Sequence, residues 1–86
     1  MKCSVEISMY PLDQQYVDLI TDFIKRLGTY PHLELETNGM STQIFGDFDN
    51  IMHAISTEMK TAFSNEKKVV FNLKVINSHL QEKPNF

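Results

Sequence analysis

The sequence predicts an α+β fold in the order β-α-β-β-α-β, with a four-stranded antiparallel sheet and both helices on one face. Three patterns carry this reading: a period-two alternation at the start of the chain, two stretches with apolar residues at three- and four-residue spacing, and an Asn-Gly pair between two further alternating runs. With 86 residues there is room for one core. We place the domain at residues 1–80 and a C-terminal tail at 81–86.

From Lys2 to Tyr10, Cys3, Val5, Ile7 and Met9 share one face while Ser4, Glu6 and Ser8 share the other, as in a strand with one buried side. Pro11 is expected to stop it, since proline has no N–H to donate to a ladder. Asp13 is the expected N-cap of a helix whose stripe is Tyr16, Ile20, Phe23, Ile24 and Leu27, and Gly28 is expected to end it in a left-handed conformation. Leu33, Leu35 and Thr37 then alternate with Glu34 and Glu36. Asn38-Gly39, both tolerant of positive φ, predicts a tight hairpin into a third strand over about Met40 to Phe45. Gly46 is expected to break that strand, with Asp47 or Asp49 capping a second helix. Phe48, Ile51, Met52, Ile55, Met59, Ala62 and Phe63 make its apolar stripe. After a polar turn at Ser64 to Glu66, a fourth strand over about Lys68 to Ile76 offers Val69, Phe71, Leu73 and Val75 to the core.

Two split β-α-β halves joined by a hairpin form the ferredoxin-like arrangement, with right-handed crossovers. The first and third strands are then central, and the face away from the helices is open. It carries Ser4, Glu6, Ser8, Ser41, Gln43, Phe45, Val70, Asn72, Lys74 and Ile76. This mixed face reads either as a solvated surface with a Glu6–Lys74 cross-strand pair or as a covered face containing a ligand pocket. Phe45, Val70 and Ile76 lie where the chain's own helices do not reach, which points to a homo-oligomer, a dimer or tetramer.

Composition excludes several classes. Eight Lys plus Arg against eleven Asp plus Glu give a net charge of −3, without the clustered positive charge that nucleic acid binding needs. An RNA-recognition module of this topology would show aromatics on its first and third strands, and here only Phe45 does. No apolar run approaches a membrane helix or a signal peptide, so no membrane insertion is expected, and one cysteine fits a reducing, cytoplasmic setting. His32, His53 and His79 fall on different elements, and no Cys-x-x-Cys or His-x-x-x-His occurs, so no metal site is expected. Cys3 reads as a small buried hydrophobe, no serine sits in a nucleophile elbow, and the single arginine, Arg26, ends a helix; no catalytic residue or enzyme activity is expected.

The most distinctive stretch is Glu36-Thr37-Asn38-Gly39-Met40-Ser41-Thr42-Gln43, a turn followed by three hydrogen-bonding side chains near the end of the first strand. Together with Glu6-Ile7-Ser8-Met9-Tyr10-Pro11-Leu12 and Gly46-Asp47-Phe48-Asp49, it resembles the YkoF-like thiamine-binding family over about Lys2 to Ile76. The resemblance implies a ferredoxin-like fold, assembly through sheets, no enzyme activity, and binding of thiamine or its hydroxymethylpyrimidine fragment in vitamin uptake or salvage. The better understood members of that family carry two such domains in tandem, whereas this sequence holds one, so self-association would supply the second. Its last strand ends Lys74-Val75-Ile76-Asn77-Ser78, unlike the Lys-Ile-Asp-Asp-Arg-like ending of a single-domain branch. Glu6, Ser8, Asn38, Ser41 and Thr42 are the expected ligand contacts. The other reading is an oligomeric regulatory or interaction module with no thiamine ligand.

Overall fold

The computed structural model describes residues 1–65 and 68–85. β1 (Lys2–Pro11), α1 (Tyr16–Leu27), β2 (Glu34–Thr37), β3 (Thr42–Asp47), α2 (Phe48–Asn65) and β4 (Val69–Ile76) follow in that order. The sheet runs β2-β3-β1-β4 with each neighbouring pair antiparallel. Alternation along β1 sends Cys3, Val5, Ile7 and Met9 inward, where they meet Phe23 and Leu27 of α1, Ile44 of β3, and Ile51, Ala54, Ile55 and Ala62 of α2. Both helices thus cover one face of the sheet, which is the ferredoxin-like fold that the sequence predicts. Each large aliphatic side chain so buried contributes about 1.5–3 kcal/mol. Across the helices, Glu58 accepts hydrogen bonds from Arg26 Nε and from Tyr30 Oη, both at 2.7 Å, so this buried carboxylate is fully engaged.

Several local expectations are corrected. Pro11 is the last residue of β1, opposite Val69; β1 pairs with β3 only as far as Ile7, so at Pro11 one side of the strand is an edge and a missing N–H costs nothing there. Asp13 does not cap α1. Its carboxylate accepts the Gln15 N–H at 2.8 Å in the turn before the helix, and Gln15, which makes no side-chain cap, occupies the N-cap. Gly28 has φ −66°, and Thr29 finishes the helix instead, its hydroxyl donating to the Arg26 carbonyl at 2.7 Å.

The Asn38-Gly39 turn is wider than expected. Neither residue has positive φ, β3 starts at Thr42, and the loop spans residues 38–41. Asn38 Oδ1 accepts the N–H groups of Met40 and Ser41 at 2.8 and 3.2 Å, so the side chain builds the turn that backbone strain would otherwise have built. The left-handed residue is His32, with φ 69°. Gly46 lies within β3, paired with Cys3, and does not break the strand. A Cβ there would stand 3.0 Å from the His32 carbonyl oxygen and 3.1 Å from Leu33 Cδ2, so absence of a side chain lets the turn pack on the sheet. Asp47 then caps α2, its Oδ2 accepting the Asp49 N–H at 3.2 Å. Of the expected turn at Ser64 to Glu66, the first two residues belong to α2 and Glu66 lies outside the described residues.

Leu73 and Val75 are exposed, because β4 is an edge strand that runs past the helices; Val69 and Phe71 alone pack from it against the core. Phe45 is buried, and its cover comes from the chain itself. After β4 the backbone turns across the open face, where Ser4 Oγ donates to the Ser78 carbonyl at 2.7 Å and accepts the Leu80 N–H at 2.9 Å. The His79 ring packs on Phe45 at a tilt of 54° with centroids 5.7 Å apart, and Gln81 Nε2 donates to Glu34 of β2.

Two glycine substitutions separate these readings. Gly46→Ala should lose about 1–3 kcal/mol, because a backbone carbonyl stands in the way and cannot yield cheaply. Gly39→Ala, in open space and without positive φ, should stay within about 0.5 kcal/mol of wild type or gain slightly. Urea unfolding of both variants measures the contrast.

Candidate functional site

At the end of the sheet where β1 leaves its β3 neighbour, the loop 38–41 stands as a wall with a cleft on each side. On the open face a cleft of about 430 Å³ is lined by Glu6 and Ser8 of β1, Asn72 and Lys74 of β4, and Met40 and Ser41 of the loop. Glu6 sits on the central strand between Gln43 and Lys74. Its Oε2 accepts the Ser41 hydroxyl at 2.8 Å, and its Oε1 lies 3.4 Å from Lys74 Nζ. These partners, Ser41 foremost and then Lys74, hold the carboxyl below its ordinary range, so Glu6 is ionised and already satisfied.

On the helix side the same loop closes a cavity of about 290 Å³. Ile7, Met9, Ile20, Phe23 and Ile24 give it apolar walls, and the exposed rings of Tyr10 and Tyr16 belong to its lining as well. At the loop end the hydroxyls of Thr37 and Thr42 lie 3.0 Å apart. One donates to the other, which leaves the pair with one free proton and unused lone pairs: a donor beside an acceptor. No described side chain that lines this cavity is charged. Apolar walls with a few convergent polar groups are the usual make-up of a small-molecule site.

The five residues singled out from sequence are therefore split between two faces. Glu6, Ser8 and Ser41 come together on the open face, and Thr42 lines the helix-side cavity. Asn38 lines that cavity too, but its carbonyl oxygen is committed to the turn. Ser41 borders both clefts, although its hydroxyl is given to Glu6. Thr37, Tyr10 and Tyr16 were not among the expected contacts. Thr37 is announced only by its pairing with Thr42 across the turn, and the two tyrosines by exposed aromatic positions beside Pro11 and at the start of α1. Among the described residues no three His, Cys, Asp or Glu side chains gather as a metal site would require, and no helix is long and apolar enough to cross a membrane.

Residues 5–83 match the profile of a family described as thiamine-binding protein. A hypothetical protein of Methanocaldococcus jannascii is similar at 29% identity and TM-score 0.77, over 99% of this chain and 87% of that one. A protein of Streptococcus pneumoniae superposes with TM-score 0.83 at 23% identity, over 93% and 90% of the two chains. A candidate thiamine biosynthesis/salvage protein of Thermotoga maritima superposes with TM-score 0.81 at 19% identity, over 91% and 85%; these two likenesses show the fold. Among curated proteins none matches the chain.

The charge state of Glu6 gives a pH dependence with a definite sign. Because its native pKa is lowered, Glu6 adds stability that is complete above the ordinary glutamate value of about 4.3 and is lost as pH falls through the native value. Glu6→Gln should therefore unfold at lower urea than wild type at pH 7, with the two curves converging in acid. Urea midpoints from pH 7 down to pH 3 check this.

Proposed function

This chain belongs to the thiamine-binding protein family, and on that premise we propose that it is a cytoplasmic, non-catalytic protein that binds thiamine or its hydroxymethylpyrimidine fragment in vitamin uptake or salvage. The observation that carries the reading is the uncharged, apolar cavity ending in the Thr37–Thr42 hydroxyl pair. An aminopyrimidine is flat and presents an amino donor beside a ring-nitrogen acceptor, which is the complement of that pair. Its faces suit the aliphatic and aromatic walls. The thiazolium of thiamine then falls toward Tyr10 and Tyr16, whose rings attract a cation without a formal charge. A carboxylate is not needed for this pose. Glu6, across the loop wall, acts instead by holding Ser41 and with it the shape of the loop.

None of the described residues that line the cavity is a cation, and this carries a specificity. A phosphorylated thiamine would bring at least one negative charge to a site whose described lining has no cation to pair it, so the free vitamin and the pyrimidine alcohol should be preferred. Calorimetric titration with thiamine, hydroxymethylpyrimidine and thiamine diphosphate tests the whole reading. Wild type should bind the first two and bind the diphosphate at least tenfold more weakly. Thr42→Val should weaken thiamine about 5- to 10-fold, corresponding to one lost hydrogen bond of about 1–1.5 kcal/mol. Glu6→Gln should bind as wild type does. If thiamine and hydroxymethylpyrimidine give no heat at millimolar concentration, the reading fails; if Glu6→Gln loses affinity while Thr42→Val keeps it, the ligand lies in the open-face cleft.

A further inference from the structure

The open face holds a second hollow beside the cleft described above. After β4 the chain crosses this face, and buried Ser4 fixes the crossing by donating to the Ser78 carbonyl and accepting the Leu80 N–H. Leu80 is thereby set as one wall of a space of about 230 Å³. Phe45 and Ile76 supply further apolar lining, and its charged lining among the described residues is Glu6 and Lys74. The same two residues line the polar cleft toward Ser41, so their ion pair divides one groove into an apolar half and a polar half.

That divider is loosely made. Lys74 Nζ lies 3.4 Å from Glu6 Oε1, and the lysine side chain is 82% exposed, so the pair is well hydrated and opens readily. Glu6 Oε2 is held separately by the Ser41 hydroxyl, which keeps the carboxylate and the loop 38–41 in place when the lysine leaves. A ligand with a single charge gains little by opening the pair, because it strands one of the two partners. A ligand that carries an ammonium and a carboxylate on the same carbon engages both: the ammonium takes Glu6 Oε1 and the carboxylate takes Lys74. Gln43, opposite Glu6 on β3, has its amide nitrogen 3.4 Å from Ser41 Oγ, which leaves its amide oxygen for the same ammonium. The substituent on that carbon then enters the apolar half, where Ile76 and Leu80 are 44% and 56% exposed and gain cover from it. A charged substituent would lie there against apolar walls without a partner.

We propose that this groove binds free α-amino acids with a branched aliphatic or aromatic side chain, with Glu6 receiving the ammonium, Lys74 the carboxylate, and the hollow under Leu80 the side chain. The site lies across the loop wall from the Thr37–Thr42 cavity and shares neither hydroxyl with it. Amino acid binding therefore does not depend on thiamine.

Calorimetric titration of the full chain, without thiamine present, tests it. L-Leucine and L-phenylalanine should give saturable heat at millimolar concentration, and glycine and L-glutamate should bind about tenfold more weakly or worse. L-Leucinamide, which lacks the carboxylate, and 4-methylpentanoate, which lacks the ammonium, should each bind wild type about tenfold more weakly than leucine or worse. Lys74→Met should bind leucine and leucinamide alike, and Glu6→Gln should bind leucine and 4-methylpentanoate alike, both with unchanged circular dichroism. The comparison of the three ligands on wild type decides the matter if a variant does not fold. No heat from leucine and phenylalanine, equal binding of leucine and its two truncated analogues by wild type, or a preference for leucine over leucinamide that survives Lys74→Met overturns the proposal.

Discussion

The alternation of β1 is the constraint on which the remaining structure depends. As an inner strand flanked by β3 and β4, β1 has both backbone edges committed along Ser4–Ile7, and its side chains have only two directions available. The inward set, Cys3, Val5, Ile7 and Met9, is the floor on which both helices rest. The outward set is polar, and each member has a separate task. Ser4 takes both a donor and an acceptor from the segment after β4, Glu6 ties the 38–41 loop to β4, and Ser8 borders the open cleft. A slip of one residue would bury that polar row and expose the core row at once.

The architecture was legible because alternation and helical periodicity are long-range averages that single residues rarely upset. The misreadings lie where one residue was asked to decide a local conformation. Gly28 and the Asn38-Gly39 pair tolerate positive φ, but tolerance is not requirement: Thr29 and the Asn38 side chain supply the terminating hydrogen bonds without it. Asp13 stands two residues before the N-cap, Gln15, and its carboxylate serves the preceding turn. Gly46 was read as a breaker when it is a point of close approach, since nothing in the local sequence announces that the His32 carbonyl packs there. Leu73 and Val75 were given to the core by parity alone, which specifies a face but not whether a helix extends over it.

The candidate site was half legible for a related reason. The stretch from Glu36 to Gln43 marks the end of the sheet where both clefts lie, yet a loop at a strand end offers its residues to both faces. Parity assigns Glu6 and Ser8 to the open side, where the Lys74 ammonium and the hydrogen bond from Ser41 leave little for a singly charged ligand to satisfy. The cavity with unspent hydroxyls lies opposite, and part of its wall comes from α1 residues whose apolar stripe reads as core packing. That Tyr16, Ile20 and Phe23 share a cavity with the loop is visible only in three dimensions.

The position of β1 also sets the order in which the molecule can assemble during synthesis. Its pairings reach from Lys2 to Asp47 on one side and from Ser4 to Ile76 on the other, so the first strand to leave the ribosome is the last to be completed. At elongation rates of about 5–20 residues per second it waits on the order of seconds with its apolar row uncovered. Contacts so distant in sequence make for slow closure relative to a helical bundle of equal length. Until β4 emerges, the interval leaves a period-two apolar segment open to contact with other chains.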